Sequence, residues 1–227
     1  MMHSDAPPVL SPLDAPTVAL VRTAAAIAGG SEQVIREQLA AAVGSVPVLW
    51  IEELMLQSSL FAGFPRTLNA TREWRRHQPL PANAAASVAD DTHHRHASTW
   101  EVRGEAACAV IYGDMYDRLR QNIAALHPAL DQWMIVDGYG KILSRPGLDL
   151  ARRELCIVAA CTATEQDRQL QSHLHGARHA GVPDEAISDA ITALDGLVPP
   201  AALERARHLW GRIRRPSSPA PAPVPSV

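Results

Sequence analysis

Apolar residues recur every three or four positions along most of the chain, and Gly and Pro break that period at intervals of about one helix. Asp14 followed by Pro16 opens a first predicted helix, which ends at Gly29-Gly30. Ser31 caps a second over Glu32 to about Val43, and Gly44 ends it. Pro47 starts a third through LWIEELMLQSSLFAG, and Pro65 a fourth, PRTLNATREWRRH. Residues 78–98 mix Pro, Ala and polar residues without period and read as a linker. Beyond it, GEAACAVIYGDMYDRLRQNIAALH and PALDQWMIVDGYGKILS read as one helix each. SRPGLDL is a turn, and ARRELCIVAACTAT with QDRQLQSHLHGARHAG makes a helical hairpin that reverses near Thr164. Pro183 and Pro200 begin the last two helices. The pattern contains no convincing strand pair, so the expected class is all-α.

A run of four helices therefore occurs twice. An offset of 136 residues lays Trp74 on Trp210, Ile51 on Ile187 and Ala41 on Ala177 without a gap. The expected organisation is a first helical unit over residues 1–77, the linker 78–98, and a second unit over 99–213 that carries the site. The tail 214–227, rich in Pro, Ser and Ala, cannot build a core and is expected to be disordered.

Composition narrows the function classes. The 227 residues suffice for a full core, and a net charge of −3 gives no electrostatic footprint for nucleic acid or an anionic membrane. The start MMHSDAPPVLSPLDAP has neither the basic nor the apolar region of a signal peptide. No apolar run reaches the roughly 18 residues of a membrane span. Three cysteines, Cys108, Cys156 and Cys161, do not make a disulfide framework. The expected compartment is the cytoplasm.

The hairpin from Arg152 to Gly181 holds the candidate chemistry. Glu154 lies ten residues before Thr164 and His173 nine after it. At a rise of about 1.5 Å per residue, both stand roughly 15 Å from the turn on antiparallel helices. Packed helix axes are about 8–10 Å apart, so an inward Glu and an inward His can meet. A carboxylate beside imidazole fixes its tautomer and favours its charged form, as a proton-transfer site near neutral pH requires. A structural tie between two helices has the same spacing. Arg145, Arg152 and Arg153 are close in sequence and suit bidentate binding of a carboxylate.

The stretch YGKILSRPGLDLARRELCIVAA, followed by QLQSHLHGARHAGVPDEAI, resembles the carboxymuconolactone decarboxylase family, within the AhpD-like superfamily. In the first half, IEELMLQSSLFAGFPRTLNA resembles a helix of the same family. The resemblance implies an all-α, AhpD-like bundle whose units assemble into closed rings, a trimer being favoured for a two-unit chain. It implies catalytic Glu154 and His173, with Arg145, Arg153 and Gln169 contacting substrate. The thiol-peroxidase branch of the superfamily carries Glu-x11-Cys-x2-Cys-x3-His on this hairpin. Here the same frame reads Glu154, Gln166, Gln169, His173, which favours the non-redox branch. The implied activity is that of a lyase acting on a small organic (lactone) acid by acid–base chemistry, with no cofactor and no metal. The alternatives are a peroxiredoxin- or alkylhydroperoxidase-type oxidoreductase working through Cys161, and a non-catalytic helical assembly protein.

Other candidates weigh less. Cys156 and Cys161 are five residues apart on one helix and diverge by about 140°, so they read as core residues. His175 and His179 share a face at a zinc-compatible spacing but have no third ligand in the pattern. His93, His94 and His96 fall in the linker, and Glu52 and Glu53 at a helix start read as solvated. At the 136-residue offset Glu154 falls on Val18 and His173 on Glu37, so the first unit lacks the pair.

Overall fold

A computed structural model describes residues 8–9, 11–80 and 94–214; the tail from 215 onward and the linker residues 81–93 lie outside the described residues. Among the described residues every regular element is helical. The first half comprises α1 (Ala15–Gly29), α2 (Glu32–Ala42), α3 (Val48–Phe61) and α4 (Gly63–His77). The second begins with α5 (Ala97–Tyr112), α6 (Tyr116–Leu126) and α7 (Pro128–Trp133), and runs into a π-helix, Met134–Leu143. It closes with α8 (Leu150–Ala163), α9 (Asp167–His179), α10 (Asp184–Thr192) and α11 (Pro200–Ile213).

Local chemistry sets these boundaries. Asp14 accepts from Thr17 N at 2.7 Å and caps α1, and Asp149 accepts from Arg152 N at 2.9 Å and caps α8. Two expectations need correction. The stretch from Gly104 to His127 is not one helix: Gly113 takes φ +52°, a left-handed value that ends α5, and α6 restarts at Tyr116. The stretch after Pro128 is α-helical only to Trp133 and then widens into the π-helix. That π-helix lies directly on α5, because Gly140 has no side chain: a Cβ there would stand 1.9 Å from the Trp100 carbonyl oxygen.

The eight helices α1–α4 and α8–α11 share one core. Helices α1 and α8 run side by side in the same direction. At their starts the buried Arg152 donates to Thr17 Oγ1 at 3.0 Å and Asp14 Oδ2 at 3.2 Å, and at their ends Gly29 abuts Ala163. The same guanidinium also donates to Asp149 Oδ2 at 2.8 Å and lies 4.4 Å from the centre of the Trp50 ring. One cation thus joins the N-caps of both halves.

Helices α1–α4 and α8–α11 place caps and buried residues at matching spacings, with one adjustment to the gapless offset. Asp14 and Asp149, and Ser31 and Gln166, occupy the same cap positions 135 residues apart. Ile51 and Ile187, Ala70 and Ala206, and Trp74 and Trp210 are all buried 136 apart. Trp74 donates its indole N–H to Glu52, and Trp210 donates to Ser188, each partner lying 22 residues earlier. The offset changes because α9 is two residues longer than α2 while the loop that follows is one residue shorter.

Candidate active site

Glu154 sits in the second turn of α8 and His173 in the middle of α9, and the antiparallel hairpin brings them together. His173 Nδ1 and Glu154 Oε2 are 2.8 Å apart, with Glu154 wholly buried and His173 4% exposed. A carboxylate can only accept, so Nδ1 carries the hydrogen and Nε2 is the atom left for other chemistry. The second carboxylate oxygen, Oε1, is buried without a hydrogen-bond partner. Such an atom ordinarily costs about 1–3 kcal/mol, and functional sites are where that cost is tolerated.

Close packing fixes the carboxylate. A Cβ on Gly176, one turn beyond His173, would lie 2.4 Å from Glu154 Oε2 and 2.7 Å from Ile111 Cγ2. Gly176→Ala is therefore expected to push the carboxylate away from the imidazole. A displacement of about 1 Å costs on the order of 10²-fold in turnover, to be measured as kcat with circular dichroism as the control for folding.

Three residues around the pair were not singled out by sequence reasoning. Phe61, the last residue of α3, packs edge-on against the His173 ring, with centroids 5.7 Å apart at 85°. Tyr112 ends α5 and Tyr139 lies on the π-helix, their rings 6.4 Å apart at 79°. Burial, reinforced by the Glu154 charge, pushes the Tyr112 phenol up to about 12 and Tyr139 well above its ordinary range. Both are neutral hydroxyls near neutral pH. No periodicity marks them, since their roles follow from the break at Gly113 and from the π-helix.

The arginines take different places from those expected of substrate ligands. Arg153 is fully buried and faces α3. It donates to Glu53 Oε2 at 2.8 Å, Gln57 Oε1 at 3.3 Å, and the carbonyls of Leu148 and Arg145 at 3.1 and 3.0 Å. Arg145, with a side chain 16% exposed, shares the same carboxylate through Nε at 3.2 Å from both oxygens. Glu53 is consequently not solvated but 3% exposed inside this cluster. Glu52 pairs with Trp74 and Arg75. Burial alone would raise its carboxyl, but the Arg75 and Trp74 donors outweigh it and hold the group below the ordinary range. Gln169 is exposed, one helical turn before His173.

Cys108, Cys156 and Cys161 are all buried and free. Burial pushes the Cys108 and Cys161 thiols up to about 12, and Cys156 higher still. Native protein at pH 8 should therefore leave all three unreacted toward a disulfide reagent and release them only on denaturation. The linkage has a definite sign. Unfolded thiols ionise near 9.0 while the folded ones stay protonated to about 12, so their contribution to stability is complete below pH 9 and is lost as pH rises from there toward 12. Urea midpoints across that range measure it.

His179 Nδ1 lies 2.7 Å from the Ile111 carbonyl oxygen, and no cluster of three metal-ligating side chains occurs among the described residues. With the adjusted offset, the first-half counterparts of Glu154 and His173 are Ala19 and Gln38, not Val18 and Glu37. Gln38 is held there by Arg22 Nε at 3.2 Å, while Arg22 Nη1 donates to the Ala193 carbonyl at 2.6 Å.

Residues 114–211, from the turn after α5 to near the end of α11, match the Carboxymuconolactone decarboxylase family. The family segment includes both Glu154 and His173. Over 145 residues the chain is 30% identical to Peroxisomal protein 2 of Schizosaccharomyces pombe, an alignment covering 62% of this chain and 64% of that protein. Among the described residues no helix is long and apolar enough to cross a membrane.

Proposed function

We propose that this chain is a carboxymuconolactone decarboxylase-like lyase that removes carbon dioxide from a small unsaturated lactone acid by acid–base chemistry. The observation that carries the reading is the buried Glu154–His173 pair, 2.8 Å apart, with one carboxylate oxygen left without a partner. Loss of carbon dioxide breaks a carbon–carbon bond and leaves its electron pair delocalised into the conjugated ring. His173, oriented by Glu154 through Nδ1, delivers a proton from Nε2 to the ring carbon, and solvent then restores that proton. The neutral hydroxyl of Tyr112 is suited to donate to oxygen that gains negative charge along the way.

Arg145 is the better of the two arginines for holding a substrate carboxylate, because it reaches partial exposure while Arg153 is buried against four acceptors. Gln169, exposed on the His173 face, is a second contact in this reading. High thiol pKa values argue against working through Cys161. The matched offsets support a duplicated four-helix unit in which one half keeps the proton-transfer pair and the other supplies walls. The exposed Leu49, Leu56, Leu60, Phe64 and Leu68 on α3 and α4 support a homo-oligomer, and a trimer would scatter light at three times 24.5 kDa. Cytoplasmic residence belongs to the same proposal.

The test is product analysis with γ-carboxymuconolactone in D2O. Release of carbon dioxide with one deuterium on the product ring carbon is the expected result. No release at enzyme concentrations that would reveal even a slow turnover contradicts the reading.

A further inference from the structure

Two helices of the second half are left almost bare. Helices α6 and α7 contain no buried residue, and they pack mainly on each other, on the end of α5 and on the π-helix. This arm displays Leu126 at 75% and Trp133 at 60% exposure, beside exposed Met115 and Leu130. A second apolar stripe runs along α3 and α4 through the exposed Leu56, Leu60, Phe64 and Leu68. Contiguous apolar surface of this kind marks a place where another protein docks. The two surfaces differ in charge. On the arm, Arg120 and Asp131 satisfy each other, which leaves Asp114 and Asp117 exposed against Arg118. On α4, Arg72 and Arg76 follow Phe64 and Leu68 at four-residue steps along one face, so that stripe ends basic.

We infer that the α6–α7 arm of one chain docks on the α3–α4 face of a second copy, and that the docked arm completes the wall of that copy's site beside Phe61. Charge decides the pairing. Arm on arm would set Asp114 and Asp117 against their own copies, and face on face would do the same with Arg72 and Arg76. Arm on face brings opposite signs together. An interface between two different patches is heterologous and repeats until it closes into a ring. The link to the site is Phe61, which packs edge-on against His173 and is only half-buried. Leu60 precedes it and Phe64 follows by three residues, so an apolar arm that covers both also lies on the outer side of Phe61. The same docking steadies Trp133, the residue from which the π-helix carrying Tyr139 begins. Each site is thus built on one chain's Glu154 and His173 and roofed by its neighbour. The inference rests on the reading of this pair as the reacting group, but its test needs no turnover.

The test uses the full-length protein and a short bismaleimide, to which the buried native thiols are closed. Trp133→Cys and Phe64→Cys together in one chain should cross-link into a ladder that ends at the closed ring, while either variant alone stays single-chain. Leu126→Arg, repelled by the basic face, should give single chains by light scattering with an unchanged circular dichroism spectrum. Asp114→Arg with Asp117→Arg should weaken assembly by about tenfold or more, and adding Arg72→Asp with Arg76→Asp should restore it to within about threefold. In single-chain Leu126→Arg, carbethoxylation of His173 by diethylpyrocarbonate, relative to exposed His208, should rise by about fivefold or more over the assembled protein. A monomeric wild-type chain at micromolar concentration, absence of the ladder, cross-linking by either single variant, or charge reversals that add instead of compensating each overturn the inference. So does a His173 ratio that stays unchanged on dissociation, since the site is then complete in one chain. Carbon dioxide release from the lactone alongside any of these would leave the lyase reading standing. The expected cross-links with no release from the assembled protein would sink that reading alone.

Discussion

Glu154→Gln lowers turnover of the lactone acid by roughly 10²–10⁴-fold, the usual contribution of a positioned acid–base group. Glutamine keeps the size and one acceptor for His173 Nδ1 but removes the charge that stabilises imidazolium. His173→Gln costs about as much, and the double variant little more, because the two side chains act as a unit. Stability falls by no more than about 1–2 kcal/mol in either single variant, since a hydrogen-bonding partner remains at 2.8 Å reach in each case. Steady-state kinetics with urea unfolding of all four proteins measures both effects. Losses of several kcal/mol with activity retained would make the pair a tie between α8 and α9 rather than a site.

The largest effect on stability is expected elsewhere, at Glu53. Its side chain is 5% exposed and neutralises Arg153, which is 0% exposed, with Arg145 sharing the same carboxylate. Glu53→Ala strands a buried guanidinium and should cost about 3–5 kcal/mol of unfolding free energy. Glu53→Gln, which keeps an acceptor, should cost less. Replacing Glu53 and Arg153 together by Met should recover much of the loss, because the fully buried guanidinium is then removed together with its counter-charge. Full additivity of the two losses would mean that the pair does not act as one buried unit.

The contrast between Glu154 and Arg153 shows how much of the site could be read from sequence. The hairpin pair follows from two short-range rules, the rise per residue and the position of the turn, and these place Glu154 opposite His173 without any knowledge of the rest of the fold. Arg153 is its neighbour in sequence, but one residue turns a helix by about 100°, so its side chain meets α3 and not α9. Which helix lies on that side is a long-range fact. Phe61 is hidden for the same reason: it reaches His173 across 112 residues of chain. The caps at Asp14, Ser31 and Gly44 were legible because each is a local demand of the backbone. The π-helix was not, since a shift from i+4 to i+5 bonding leaves the apolar pattern almost intact. The recurring order of four helices was legible, but the net gain of one residue across α9 and its shorter following loop, which shifts the matching positions by one, was not.

The central claim is that proton transfer by Glu154 and His173, and not thiol chemistry, does the work. The most direct measurement compares carbon dioxide release from γ-carboxymuconolactone by the variant with Cys108, Cys156 and Cys161 all replaced by Ala, and by His173→Gln. The account predicts turnover within a few-fold of wild type in the first, since all three thiols are buried and protonated, and a loss of about 10²-fold or more in the second. Activity that disappears with the cysteines and survives in His173→Gln would contradict it.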